Sequence, residues 1–80
     1  MMKTTKRTLA QIKKGMVCTI KNIPAVDIRA QTIRFGLVEG KQILCQAVIP
    51  AGPIVVKVNR QEIALGRHLA EMIEVEEAQA

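Results

Sequence analysis

Few residues in this chain are equipped for chemistry. It carries one histidine (His68), two cysteines (Cys18 and Cys45), six glutamates and one aspartate, with no serine or tyrosine. Hydrolysis or group transfer needs a nucleophile, a base and an orienting group converging in a pocket. One imidazole, and carboxylates that fall mostly at the ends of predicted elements, point away from an enzyme. His68 and Glu71 lie three apart, so one helical turn would present a nitrogen and an oxygen to a metal. Two ligands do not complete a site, so the pair is a weak candidate, and no metal or other cofactor is expected. Cys18 and Cys45 each sit in an alternating apolar run without CxxC spacing, and read as small buried hydrophobes. The glycines at 15, 36, 40, 52 and 66 mark element boundaries, where positive φ is expected, and form no phosphate-binding loop.

Eighty residues hold one domain with a small core. A 49% hydrophobic and 24% charged composition is that of an ordinary globular chain. No apolar run approaches the roughly 18 residues of a membrane span, and no secretory h-region follows the basic start, so a cytoplasmic location is expected. The net charge of +5 is polarised, with Lys3, Lys6, Arg7, Lys13 and Lys14 near the front and Glu71, Glu74, Glu76 and Glu77 near the end. Such a balance speeds encounter with acidic proteins, nucleic acid or an anionic membrane face without choosing among them. A small basic barrel binding nucleic acid is the alternative reading. It is disfavoured because base stacking wants aromatic platforms, and Phe35, the sole aromatic, is expected to plug the barrel.

The elements that would position these residues follow from periodicity. Residues 1–8 are expected to be a flexible basic terminus, 9–77 one domain and 78–80 a tail. Leu9 and Ile12 anchor a helical turn that Lys13, Lys14 and Gly15 end. A strand follows from Met16, burying Cys18, Ile20 and Asn22, until Pro24. Asp27 is the expected N-cap of a helix over about 28–35, and Val26, Ala30, Ile33 and Leu37 draw an apolar stripe along it that should cover the sheet. Gly36 should close that helix. Residues 41–49 alternate with Ile43, Cys45, Ala47 and Ile49 on one face. A turn at 50–53, a β-branched run at 54–58, a short strand at 62–65, a helical turn at 66–71 and a last strand at 72–76 complete the chain. About five short strands in so few residues imply a mainly β, small SH3-like barrel with one short helix and one or two helical turns.

Leu9-x-x-Ile12-x-x-Gly15 followed by Arg29-x-x-x-Ile33-x-x-Gly36-Leu37-x-x-Gly40-x-x-Ile43 resembles the FeoA family of ferrous-iron transport proteins. Gly52-Pro53-Ile54-x-Val56-x-Val58, Ile63-Ala64-Leu65 and Leu69-Ala70-x-x-Ile73-x-Val75 continue the likeness to about Glu76. The chain departs from the family pattern at the hairpin turn, where Gly-Asp-Pro is usual, at Thr32 for an aliphatic residue, at Glu39 for proline and at Gly66 for arginine. The resemblance implies an SH3-like barrel that associates with the FeoB-type transporter, a membrane protein with a cytosolic GTP-binding domain. It also implies a non-enzymatic accessory role in ferrous-iron uptake, at the inner face of the plasma membrane through that partner. Arg29 and Arg34 on the exposed side of the helix, with Lys41 beyond the next turn, are the expected partner-binding residues, since they can pair with acidic side chains. Self-association through exposed aliphatic side chains or strand edges is a further expectation.

Overall fold

The computed structural model describes residues 7–78. Its framework is one antiparallel sheet of six strands: β1 (Arg7–Thr8), β2 (Val17–Asn22), β3 (Gln42–Val48), β4 (Ile54–Val58), β5 (Gln61–Leu65) and β6 (Glu74–Glu77). The spatial order is β1-β6-β2-β3-β4-β5, so the closing strand β6 inserts between the two ends of the N-terminal segment. Helix α1 (Val26–Thr32) runs into a 3-10 turn at Ile33–Phe35, a second 3-10 turn occupies Leu9–Gln11, and α2 (Arg67–Ala70) is a single turn before β6. The mainly β, SH3-like architecture expected from the sequence is present, with one strand more. Arg7 and Thr8 pair with Val75 and Glu74, so order begins before Leu9. The rest of the expected flexible terminus and the end of the tail lie outside the described residues.

Alternation places the core. Cys18 and Ile20 of β2, Ile43 and Cys45 of β3, Ile54, Val56 and Val58 of β4, Ile63 and Leu65 of β5 and Val75 of β6 all point into one cluster with Leu9, Ile12, Ile23, Leu37, Ala70 and Ile73. Removing each of the larger aliphatic side chains from water is worth about 1.5–3 kcal/mol. Two irregularities shift the expected faces. The β3–β4 register slips between Cys45 and Ala47, so Val48 packs on the core while Ile49 is 46% exposed. The β2–β6 register slips between Ile20 and Asn22; Asn22 is exposed, its Nδ2 donating to Glu74 Oε1 at 3.5 Å, and Ile23 is buried in its stead. Positive φ is found at Gly15, Gly36 and Gly40 but not at Gly52 or Gly66; Ala51, Asn59 and Arg60 adopt it at the two hairpin turns.

The ends of the sheet are tied by few polar contacts. Leu9 N–H donates to Ile73 C=O at 3.0 Å, joining the Leu9–Gln11 turn to the segment before β6. Arg67 bridges the same region, with Nη1 donating to Ala10 C=O at 3.4 Å and Nη2 to Ile49 C=O at 3.1 Å. Its Nε is buried without a partner among the described residues. Ion pairs Arg7–Glu77 and Lys21–Glu76, at 3.5 and 3.4 Å, are solvent-exposed and worth under ~1 kcal/mol each.

Both thiols are free and buried, Cys18 fully and Cys45 nearly so. Burial pushes the Cys18 thiol above its ordinary value, helped by the Glu77 carboxylate and Cys45 and opposed by Arg7; burial also raises Cys45. An unfolded thiol ionises near 9.0 while the folded one stays protonated. The unfolded state therefore sheds protons first, and stability falls as pH rises through that value. Urea midpoints measured from neutral pH upward should fall in alkali for the wild type. The Cys18→Ala/Cys45→Ala variant should be less stable at neutral pH yet show a flatter alkaline decline; an unchanged slope would rule the thiols out as its source.

Candidate docking surface on the first helix

Pro24 and Ala25 precede α1, and Ala25, at φ −83° and ψ 125°, is its N-cap. Asp27 lies within the first turn, two residues past the cap, where its carboxylate still favours the helix dipole. The C-terminus is closed by Gly36 at φ 82°, whose N–H donates to Ile33 C=O at 3.1 Å while Leu37 N–H donates to Thr32 C=O at 3.1 Å. This pair of bonds is a Schellman closure, and its hydrophobic anchor, Leu37, is fully buried.

The helix meets the core with the face opposite to the one its pattern suggests. Ile28 packs against the core, and Thr32, four residues on, is completely buried with its hydroxyl donating to Arg29 C=O at 3.3 Å. Of the predicted stripe only Leu37 points inward. Val26 is 78% and Ile33 61% exposed, and Ala30 between them is exposed too. Phe35, expected inside the barrel, is 41% exposed. A groove of about 290 Å³ runs beside this stripe, floored by Ile23, Thr32 and Leu37, with Ile33 and Val38 on its walls and Arg29 and Glu39 among its polar residues. Glu39 is engaged by the backbone, its Oε2 accepting Ile23 N–H at 3.4 Å.

The expected partner-binding residues are arranged around this surface unequally. Arg29 lines the groove and is exposed. Arg34 is exposed in the 3-10 turn, on the other flank of the stripe by helical spacing. Lys41 is half-buried and sits where the chain returns to the sheet, its N–H donating to Val38 C=O at 3.1 Å and its C=O accepting Ile20 N–H at 2.9 Å. Neither Arg34 nor Lys41 lines the groove. His68 and Glu71 are exposed on and after α2, and among the described residues no group of three or more His, Cys, Asp or Glu is placed to hold a metal. Among those residues, too, no helix is long and apolar enough to cross a membrane. The residues that sequence reasoning missed are the outward Val26, Ile33 and Val38; Thr32, a polar residue at an inward position of the helix, is the sequence signal for the reversed face.

A six-stranded antiparallel domain with one short helix and an exposed apolar stripe on that helix is a small SH3-like module. The FeoA domain model matches residues 7–77, and the chain belongs to the FeoA domain family, an iron-transport accessory domain. An iron uptake regulatory protein (FeoA) of known crystal structure is 25% identical, covered over 92% of this chain and 100% of its own, with a TM-score of 0.85. The FeoA protein from Chlorobium tepidum is 27% identical over 91% of this chain and 71% of its own, with a TM-score of 0.80. A manganese-dependent transcriptional repressor shares the fold at 20% identity and a TM-score of 0.83, covering 96% of this chain and 44% of its own. No curated protein matches by sequence.

The orientation of the stripe depends on Gly36. An added Cβ there would sit at positive φ and stand 2.5 Å from Asn59 Nδ2. Gly36→Ala should lower stability by about 1–2 kcal/mol, measured by urea unfolding, whereas Gly66→Ala, which meets nothing within 4 Å, should change it little. Equal effects at the two sites would contradict this account of the helix closure.

Proposed function

We propose that this chain is a non-enzymatic accessory of ferrous-iron uptake, acting in the cytoplasm by docking on the cytosolic side of a FeoB-type transporter. The exposed stripe of α1 carries the proposal. An isolated domain gains nothing from leaving Val26 and Ile33 in water, and covering each fully would be worth about 1.5–3 kcal/mol. Membership of the FeoA family supports iron transport as the setting. The mechanism is contact: aliphatic side chains of the transporter cover Val26 and Ile33 and enter the groove beside them. Arg29, Arg34 and Lys41 orient the complex through acidic residues at its rim.

Ferrous-iron uptake in cells lacking the chain should be low and return on complementation. Ile33→Asp, at an exposed position that leaves the core intact, should weaken binding to the transporter's cytosolic region at least ~10-fold and fail to complement. Arg34→Glu should act in the same direction and less. Unchanged binding for Ile33→Asp would exclude this face, and uptake independent of the chain would overturn the transport role and bring salt-dependent nucleic-acid binding forward as the next test.

A further inference from the structure

We propose that α1 is also a self-docking face, on which two copies of this chain pack their first helices antiparallel across a two-fold axis beside Ala30. The order of side chains along the helix carries the inference. Val26, Ala30 and Ile33 form the outward stripe, with the smallest at its middle, where a close crossing is easiest. Helical spacing puts Asp27 and Arg34 on the same flank of that stripe, one beside Val26 and the other beside Ile33. An axis at Ala30 sets Val26 against Ile33 of the second copy and keeps like flanks together. Asp27 then lies beside Arg34 of the second copy, and Arg34 beside its Asp27. One stripe thus generates two intermolecular ion pairs, the self-complementarity that an isologous interface requires.

Neither Asp27 nor Arg34 has an ion-pair partner among the described residues. A uniformly acidic partner would satisfy Arg34 but repel Asp27, whereas a second copy brings the same two charges in reverse order. On the opposite flank Arg29 shares the groove with Glu39, which limits the repulsion between the two copies there. Three or four side chains fall well short of the roughly 800 Å² per partner of a standard interface, so the dimer is weak and exchangeable. Its competition with the transporter for this face rests on the function proposed above; the dimer does not.

Sedimentation of the full chain at low salt, from tens of micromolar to about a millimolar, tests the proposal without the transporter. The average mass should rise toward that of a dimer. Ile33→Asp should hold the chain monomeric. Arg34→Asp and Asp27→Arg should each weaken the dimer about 10-fold, and the doubly reversed chain should recover to within about 3-fold of wild type. Circular dichroism confirms that each variant is folded; Arg34→Asp leaves the first helical turn untouched and so separates ion pairing from helix stability. A monomer at every concentration, a dimer indifferent to Ile33→Asp, or reversal without recovery would overturn self-docking. A monomer that still binds the transporter removes this inference alone, and a dimer that does not bind it removes the transporter reading alone.

Discussion

The sheet supplies most of the core formed by the described residues, and the remaining features accommodate that fact. Among the described residues ten of the sixteen buried apolar side chains come from strands, and the others from the Leu9–Gln11 turn, from α2 or from connections. Helix α1 therefore gives the core only Ile28, Thr32 and, through its closure, Leu37. The rest of its apolar surface stays outside because the space beneath is already occupied.

Much of the sheet was legible in the sequence because burial on one face imposes a period of two, and the β-branched runs carry it clearly. The run at Ile54–Val58 is found as expected, with Ile54, Val56 and Val58 inward. Legibility failed where one residue changes the phase. The slip after Cys45 turns Val48 inward and Ile49 outward, and no residue type at Gln46 announces a bulge. The two-residue strand Arg7–Thr8 was invisible for a different reason: its pairing with β6 is a long-range event in a segment without apolar alternation.

The candidate surface was half legible. A hydrophobic period of 3.6 reveals that a helix has an apolar stripe, but periodicity alone does not say on which side of the helix the core lies. Val26, Ala30 and Ile33 form the more hydrophobic stripe and face water; Ile28 and Thr32 form the shorter one and face inward. Thr32 is tolerated there because its hydroxyl bonds back to Arg29 C=O, so its own buried polar atom is not left unmet. Arg29, expected on the exposed side of the helix, is exposed and lines the groove, while Lys41, placed by sequence proximity, is held by backbone bonds to Val38 and Ile20 apart from it.

Seven residues are too few for an independently stable helix, since isolated helices shorter than about 12–15 residues are marginal in water. The order of α1 is thus borrowed from the core at three points, Ile28, the buried Thr32 and the Schellman anchor Leu37. Gly40 N–H donating to Ile20 C=O at 2.7 Å fastens the segment after that anchor to β2. The stripe is consequently presented in one orientation before any partner arrives, and the proposed docking would be spared the entropy of ordering it. A core substitution that loosens Leu37 would therefore disturb the proposed docking face before it unfolds the sheet, because the helix is tied to the core through few side chains, Ile28 and Thr32 with the anchor Leu37.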